Sequence, residues 1–225
     1  MQPFRVIEER AAPLGGANID TDQIIPARYL QKPRSTDFGE LLFRDVRRSA
    51  NAQLRPDFPL NDPAYAGARI LVAGPNFGCG SSREHAVWAL ADAGFRAVIA
   101  PGFGDIFRTN ALKNGLLPVA LDESVVEAML ESLRRDPQQR IRIDLVAQVV
   151  GVPEGGERNF TVDPFGRHCL IEGIDELDYT LSQLDRIRQF EAREARDEAG
   201  VKDTADVADE PDATGRSLFE GSSRQ

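Results

Sequence analysis

The residues whose types and spacing best suit chemistry form one run, Gly74-Pro75-Asn76-Phe77-Gly78-Cys79-Gly80-Ser81-Ser82-Arg83-Glu84-His85. Apolar residues 68–73 precede this run and predict a buried strand, and apolar residues 86–91 follow it and predict a helix. A glycine-rich turn between a strand and a helix leaves backbone N–H groups unpaired at the helix N-terminus, which carries partial positive charge. With two serines and an arginine at that terminus, the pattern predicts a site for an anionic ligand.

A plainer explanation covers part of the same run. Ser81-Ser82-Arg83-Glu84 has the spacing of a capping box, in which Ser81 would cap the helix and Glu84 would reach back to it. The glycines also suit a tight turn. However, three glycines within residues 74–80 would let a ligand approach the backbone, at the end of a strand where α/β folds place ligands. The pattern alone leaves the structural and the functional interpretations open.

Three other chemistries fit the run less well. The glycine spacing resembles that of dinucleotide-binding turns, but the next apolar stretch, residues 95–100, ends without the acid that would bind a ribose. The G-x-S-x-G pattern of serine hydrolases is absent. Cys79 before a helix N-terminus could be an activated thiol, although His85 lies only six residues further on, where a helix would point it elsewhere.

Composition excludes several classes of protein. The 225 residues carry a net charge of −9, and the pI is about 4.9, which argues against binding to nucleic acid or to an anionic membrane surface. No apolar run approaches the roughly 20 residues of a membrane-spanning helix, and no export signal is visible, so we expect a cytoplasmic protein. Two cysteines cannot alone hold an iron–sulfur cluster or a structural zinc, and the two histidines have no metal-ligand spacing, so we expect no metal in this chain. Without an export signal, we expect free thiols in preference to a disulfide.

The elements around the run predict a layered α/β domain. Strands are expected over residues 4–8, 68–73, 95–100, 116–121, 140–145, 148–152 and 159–162. Helices are expected from about residue 86 to 93, over 104–114, 124–135 and 41–48, and over a last stretch with apolar residues at 177, 181, 184, 187 and 190. Residues 18–30 are expected to form a turn that enters a short strand or loop, and residues 31–40 a mobile surface loop.

The C-terminal residues differ in composition from the rest. From residue 191 onward the chain holds ten acidic and five basic residues and few apolar ones. Such a segment buries too little apolar surface to offset the entropy of ordering. We therefore predict one domain, residues 1–196, followed by an acidic, disordered tail, residues 197–225.

Several motifs together resemble one known family. Residues 76–85 resemble the signature of the swivelling domain of the aconitase superfamily. Residues 18–30, Asn-Ile-Asp-Thr-Asp-Gln-Ile-Ile-Pro-Ala-Arg-Tyr-Leu, resemble the small subunits of 3-isopropylmalate dehydratases, and residues 103–107 and 113–118 fit the same family. The resemblance covers roughly residues 1–190 and implies an aconitase-type swivelling fold, layered β/β/α with a β-rich N-terminal section, short strands and a C-terminal helix.

The resemblance also implies an activity and a partner. Members of this family act with a large subunit that holds a [4Fe–4S] cluster, and they isomerise 2-isopropylmalate and 3-isopropylmalate through 2-isopropylmaleate in leucine biosynthesis. The reaction needs a base that removes a proton next to a carboxylate, a Lewis acid that takes the hydroxyl, and cations that hold a small dicarboxylate. The Lewis acid would come from the partner, while the base and part of the carboxylate clamp would come from this chain.

The motifs carry site residues over to this sequence. Ser81 matches the serine that acts as base, and Ser82 matches a neighbour that contacts substrate. Arg83 matches an arginine that grips a substrate carboxylate, for which a guanidinium fork is well suited. Asp22 matches an aspartate that orients a histidine of the partner subunit, although an Asx turn would equally explain an aspartate at this position.

The same resemblance implies that the segment from Tyr29 to Arg34 selects the side chain of the substrate. Arg34 lies twelve residues beyond Asp22, the spacing at which aconitases carry another substrate arginine. Further substrate-binding candidates in or beside the segment are Arg28, Tyr29, Leu30 and Lys32. The choice of diacid rests on few residues, so a related hydro-lyase for citraconate, dimethylmalate or homoaconitate stays an alternative, as does a non-catalytic homologue that binds carboxylates or a partner protein.

Overall fold

The structure is a computed structural model that describes residues 1–153 and 155–205, with side chains up to residue 196. The strands are β1 (Val6–Leu14), β2 (Ile70–Ala73), β3 (Ala97–Ala100), β4 (Leu117–Ala120), β5 (Arg140–Asp144), β6 (Val149–Gly151) and β7 (Glu157–Asn159). The helices are α1 (Thr21–Ile24), α2 (Glu84–Asp92), α3 (Asp105–Lys113), α4 (Glu123–Arg135), α5 (Pro164–Glu172), α6 (Glu176–Ser182) and α7 (Leu184–Ala205). Short 3-10 turns lie between α1 and β2.

The strands form one sheet in the order β4-β3-β2-β1-β5-β6-β7. Its centre is β1, which serves two kinds of pairing. Residues 6–10 of β1 pair antiparallel with β5, and residues 11–14 pair parallel with β2. Because β2, β3 and β4 continue in parallel, the carboxyl ends of β1 to β4 lie along one edge. That edge is where ligands bind in parallel sheets.

Both faces of the parallel half are covered, which explains why its strands are short and continuously apolar. In β2, Leu71 and Ala73 pack in an apolar cluster with residues of α2, whereas Ile70 and Val72 pack in a second cluster with residues of α4 and β5. The observed α/β layering confirms the predicted fold class. It also places α2, the helix that follows the glycine-rich run, directly against the sheet.

Several predicted elements differ in detail. The helix predicted over residues 41–48 is wrong: a 3-10 turn at Gly39–Leu41 gives way to irregular turns. Phe43 prevents a helix there, because its φ is 52° and its N–H donates to the carbonyl of Ile24 instead of to the preceding turn. Residues 18–30 contain α1 and a 3-10 turn, Ala27–Tyr29, in place of the expected strand or loop. The expected β-rich N-terminal section therefore consists of β1, which runs further than residues 4–8.

The prediction missed helix α5 altogether, although the sequence contained its signals. Asp163 caps the helix by accepting the N–H of Gly166 at 2.8 Å, and Pro164 occupies the first turn. Gly173 ends the helix in the left-handed conformation, with φ of 72°.

The chain divides into two compact units, Met1–Tyr179 and Thr180–Gln225. In place of one last helix there are two, α6 and α7, and the predicted domain boundary at residue 196 falls inside α7. Residues 206–225 of the predicted tail lie outside the described residues. Within the described chain, no helix is both long and apolar enough to cross a membrane.

Candidate active site

Three chain segments meet where the parallel strands end. Beyond the last residues of β1, β2 and β3, the chain continues in parallel pairing, with one bridge between Asp20 and Cys79 and another between Phe77 and Phe103. The two motifs that suggested chemistry in the sequence, residues 18–22 and residues 75–83, therefore lie side by side. We call these two segments the paired loops.

Main-chain hydrogen bonds join the paired loops at regular steps. The N–H of Asn18 donates to the carbonyl of Pro75 at 2.9 Å. The N–H of Gly78 donates to Ile19 at 2.7 Å, and the N–H of Thr21 donates to Cys79 at 3.0 Å. This ladder fixes one loop against the other without using any side chain that could meet a substrate.

Side chains reinforce the two ends of the ladder. At one end, Asn76 donates from Nδ2 to Oδ1 of Asn18 at 2.7 Å, and both asparagines have a positive φ, 57° for Asn18 and 58° for Asn76. Asparagine tolerates this conformation better than most residues. At the other end, the hydroxyl of Thr21 donates to the carbonyl of Ser81 at 2.8 Å.

Two of the three glycines of the run, Gly74 and Gly78, serve the fold and leave no opening for a ligand. At Gly78, where φ is 70°, a Cβ atom would overlap the ring of Phe107. At Gly74, a Cβ atom would overlap the backbone of Gly16. The protein's own chain fills the space beside both glycines, so the expectation that these residues let a ligand approach the backbone is wrong at these positions.

Ser81 and Ser82 are both exposed and lie directly before helix α2. The helix begins at Glu84, and its N-cap is Arg83, which makes no side-chain capping bond. The capping-box interpretation is therefore wrong: Glu84 instead accepts a hydrogen bond from Asn114 at 2.9 Å. Within the described chain, no backbone N–H from residue 80 to residue 85 donates a hydrogen bond, so these donors are unpaired in the stretch that leads into the helix.

Arg83 and Asp22 form a bidentate ion pair across the paired loops. Nη1 and Nη2 of Arg83 donate to the two carboxylate oxygens of Asp22, the second at 2.7 Å. The Arg83 side chain is only 12% exposed, whereas that of Asp22 is 58% exposed. The hydrogen bonds from Arg83 hold the pKa of Asp22 below its ordinary value, against a smaller opposing effect of burial. The structure thus brings Ser81, Ser82, Asp22 and Arg83 together.

The segment after the first loop is held differently. Arg28 forms an ion pair with Asp45, through Nη1 at 2.7 Å and also through Nη2, and its guanidinium lies over the Tyr29 ring, 4.6 Å from the centroid. Tyr29 and Leu30 pack against the apolar cluster that includes α2 residues, and Lys32 is exposed. We call residues 26–34 the arginine segment.

Arg34 lies away from the serines. Its guanidinium donates to both oxygens of Asp92, at 2.9 and 2.8 Å, and stacks over Trp88, 5.2 Å from the ring centroid. Asp92 is the last residue of α2, about 12 Å of helix away from its first residue at 1.5 Å per residue. The described arrangement therefore does not bring Arg34 to Ser81.

Two further residues near the run have structural contacts. The His85 ring packs against Trp88, with centroids 4.4 Å apart, and against Phe38 at 5.4 Å, and no hydrogen bond among the described residues joins it to Cys79. This geometry gives no support to a cysteine–histidine pair. Asn114, to which the sequence alone gave no role, connects α3 to α2 by bonds to Glu84 and to the indole of Trp88.

The described residues do not form a metal centre. Across residues 1–153 and 155–205, no three His, Cys, Asp or Glu side chains are grouped closely enough to hold a metal ion. Cys79 and Cys169 are both free thiols, as expected. Burial and then the nearby carboxylates of Glu176, Asp175 and Asp163 raise the pKa of the Cys169 thiol, which disfavours its thiolate.

Comparison with known proteins shows which proteins this chain is similar to. The model of the aconitase C-terminal domain matches residues 1–124. The 3-isopropylmalate dehydratase small subunit of Anaeromyxobacter dehalogenans is 51% identical over 191 residues, which is 85% of this chain and 98% of that protein. The small subunit of the same name from Chloroflexus aurantiacus is 48% identical over 192 residues, 85% of this chain and 96% of the relative.

A solved structure shows the same likeness. The crystal structure of 3-isopropylmalate dehydratase from Methanocaldococcus jannaschii has a TM-score of 0.58 and 27% sequence identity, and the match covers 83% of this chain and 99% of the other.

Proposed function

The chain belongs to the family of 3-isopropylmalate dehydratase small subunits, within the aconitase superfamily, and we propose that its paired loops supply the base of the reaction. The substrate would be 2-isopropylmalate, which loses water to give 2-isopropylmaleate and regains it to give 3-isopropylmalate. The observation that carries the proposal is the exposure of Ser81 and Ser82 in front of α2, next to Arg83 in the chain and within a stretch of unpaired backbone N–H groups.

Ser81 would remove the proton from the substrate carbon next to a carboxylate. A serine hydroxyl is a poor base at neutral pH, so its deprotonated form needs stabilisation. The N-terminus of α2 and the unpaired N–H groups before it favour negative charge at this position, whereas the ion pair with Asp22 offsets the charge of Arg83. Ser82, as the exposed neighbour, would contact the substrate.

Arg83 and Asp22 would form the floor of the site. The Arg83 guanidinium donates to both oxygens of Asp22 and, at 3.4 Å, to the carbonyl of Ile25. A guanidinium has five N–H groups, so donors remain for a substrate carboxylate. The largely exposed Asp22 carboxylate would also accept a hydrogen bond from a histidine of the large subunit. Both roles rest on the family resemblance together with the observed pairing.

The arginine segment would contact the rest of the substrate. Tyr29 and Leu30 would face its alkyl side chain, and Arg28, Lys32 and Arg34 would contribute positive charge. For Arg34 this role requires that it exchanges Asp92 for a substrate carboxylate, because the described ion pair holds it at the far end of α2.

We propose that a large subunit completes the enzyme. The described residues of this chain offer no ligand set for a cluster, so the [4Fe–4S] cluster, and the Lewis acid that takes the hydroxyl, would belong to that partner. We also propose a cytoplasmic setting, since free thiols such as Cys79 and Cys169 suit a reducing compartment.

A reconstitution assay tests the function. The chain is mixed anaerobically with the large subunit of the same organism, and the absorbance of the unsaturated intermediate is followed with 2-isopropylmalate, citraconate and homoaconitate. Turnover that needs both chains and prefers isopropylmalate is the expected result. Preference for another diacid would change the substrate but keep the chemistry, and absence of turnover with an intact cluster would contradict the proposal.

We further propose that residues 1–196 contain everything the activity needs. The segment beyond residue 196 is rich in acidic residues and poor in apolar ones, so it adds little to a core. A chain truncated after Arg196 should keep the turnover number and the melting temperature of the full chain in the reconstituted complex. A large loss of either would show that the C-terminal segment contributes to the folded enzyme.

A further inference from the structure

We infer that Thr21 is a positioning residue for Ser81, an inference that rests on the proposed role of Ser81 as base. Thr21 is 2% exposed, and in the described part of the chain it is the one polar residue that is buried. Its hydroxyl donates to the carbonyl oxygen of Ser81 at 2.8 Å. A buried hydroxyl costs free energy unless it finds a partner, so its placement against this carbonyl is a strong local constraint.

The constraint acts where the second loop has little other support. The main-chain ladder between the paired loops ends with the bond from Thr21 N–H to Cys79. Arg83 is anchored again, by its ion pair with Asp22. Between Cys79 and Arg83, the bond from the Thr21 hydroxyl to Ser81 is the only hydrogen bond that attaches the chain to the rest of the described protein.

The carbonyl that Thr21 holds belongs to the residue that would do the chemistry. Holding the Ser81 carbonyl restricts rotation of the peptide unit between Ser81 and Ser82, and it thereby limits the directions in which the Ser81 side chain leaves the backbone. Gly80, the preceding residue, has a φ of 90°, and glycine permits a wide range of backbone angles. Without the Thr21 bond, the backbone of residues 80–82 could rotate and move the Ser81 hydroxyl away from the substrate proton that it would remove.

The end of the ladder that lies away from Ser81 supports the same interpretation. The side-chain bond between Asn76 and Asn18 locks the start of the ladder, and three main-chain bonds hold its middle. The paired loops are therefore fixed up to Cys79 independently of the Thr21 side chain, since Thr21 contributes to the ladder only through its backbone N–H. The Thr21 hydroxyl extends this fixed frame by two residues, to Ser81.

The test compares Thr21→Val, which keeps the shape but removes the donor, with Thr21→Ser, which keeps the donor. Both are assayed as the full chain in complex with the large subunit. Because a misplacement of about 1 Å can lower turnover by about 100-fold, we expect Thr21→Val to lower kcat between about 10- and 100-fold while KM changes far less. Thr21→Ser should restore most of the lost kcat, which a purely structural role in the core would not predict.

Thr109→Val is the matched control, since the Thr109 hydroxyl also donates to a backbone carbonyl, that of Asp105 at 3.1 Å, but on helix α3. Its kcat should equal that of the wild type. If Thr21→Val does not fold, Thr21→Ala takes its place. Unchanged kcat in the folded Thr21→Val or Thr21→Ala complex, or equal losses in Thr21→Val and Thr21→Ser, would overturn the inference.

A second measurement separates this inference from the proposed function. Amide NMR spectra of the free chain should show that Thr21→Val shifts the signals of Ser81 and Ser82, while those of Asn18 and Gly78 stay in place and Thr109→Val shifts none of them. If the wild-type complex lacks turnover, the proposed function fails while the NMR result still decides whether Thr21 holds Ser81. Unshifted Ser81 and Ser82 signals would overturn the positioning role even in an active enzyme.

Discussion

The paired loops and the arginine segment are adjacent in the chain, but different interactions hold them. Main-chain hydrogen bonds and one buried hydroxyl join the paired loops along most of their length, and the side-chain pairs Asn18–Asn76 and Asp22–Arg83 add to them. The arginine segment is tied down at its functional residues by ion pairs, Arg28 with Asp45 and Arg34 with Asp92. In each of those pairs the arginine side chain is more than half exposed, 54% for Arg28 and 52% for Arg34.

The difference has an energetic consequence. Exposed ion pairs contribute only about 0–1 kcal/mol each, so Arg28 can leave Asp45, whose side chain is also exposed, at small cost. Arg34 leaves Asp92 less readily, because the Asp92 side chain is only 19% exposed. Leaving a buried donor or acceptor without a partner costs about 1–3 kcal/mol, so the paired loops resist rearrangement. The comparison indicates that the groups proposed for proton transfer are prearranged in the chain alone, whereas the groups proposed for substrate selection adjust when substrate or partner binds.

The largest expected effect is that of Ser81→Ala, which tests whether the paired loops hold a base. Loss of a positioned general base lowers turnover by about 10²–10⁴-fold, and the reconstituted variant should fall within or beyond that range. Since Ser81 is exposed and does not cap α2, the melting temperature and the affinity for the large subunit should stay close to wild type.

Ser124→Ala serves as the control, because it removes an exposed hydroxyl from the first turn of α4. It should keep full activity. If Ser81→Ala instead lowers the melting temperature strongly, or keeps wild-type turnover, the paired loops are a structural frame and not the seat of the base.

A smaller effect is expected for Arg34→Ala, which tests whether the arginine segment exchanges partners. A charge-assisted hydrogen bond contributes about 1.5–3 kcal/mol, so loss of one to a substrate carboxylate should raise KM at least about 10-fold, with kcat changed less. Arg55→Ala is the control, because Arg55 is also an exposed arginine paired with an aspartate. Equal KM values in both variants would mean that Arg34 only holds Asp92 and the end of α2.

The sequence predicted the site better where its chemistry rests on a local motif. Residues 68–91 correctly indicated a strand, a turn and a helix, with Ser81 before the helix, because apolar runs and glycines report directly on local structure. The capping-box interpretation is wrong because the helix starts at Glu84, three residues after the serine. The carboxylate of Glu84 accepts a hydrogen bond from Asn114, which follows the last residue of α3. Such a contact depends on tertiary packing, which spacing within one segment does not contain.

Long-range partners were the part that the sequence could not give. Thr21 stands inside a recognised motif, yet nothing local predicts that its hydroxyl meets a residue sixty positions later. Likewise, Arg34 has the expected spacing from Asp22, but in the structure it forms an ion pair with Asp92. A helix was also predicted over residues 41–48, where the structure has turns. There the backbone of the buried Phe43 has a φ of 52°, which a helix does not allow.

The smallest expected effect concerns the pH dependence of the Asp22–Arg83 pair. This pair is an ion pair, like those of the arginine segment, but it lies within the paired loops. Arg83 lowers the pKa of Asp22 in the folded chain, so the pair stabilises the fold fully above the unfolded pKa of about 4, and this stabilisation is lost as pH falls through the lower folded pKa. Because Asp22 is 58% exposed, solvent screening limits the contribution to less than about 1 kcal/mol. Urea unfolding should therefore show a small deficit for Asp22→Asn at pH 7 that shrinks as the pH falls below 4.

Asp57→Asn sharpens the comparison, because Asp57 pairs with Arg55 only two residues away and both side chains are exposed. Arg55 also lowers the pKa of Asp57, but this pair joins no separate segments, so its removal should change the free energy of unfolding less than Asp22→Asn does at pH 7. Equal changes in the two variants would show that the buried guanidinium of Arg83 adds nothing to an ordinary surface pair. In that case Arg83 would be as free as Arg34 to leave its aspartate, and the fixed part of the site would end at Ser81.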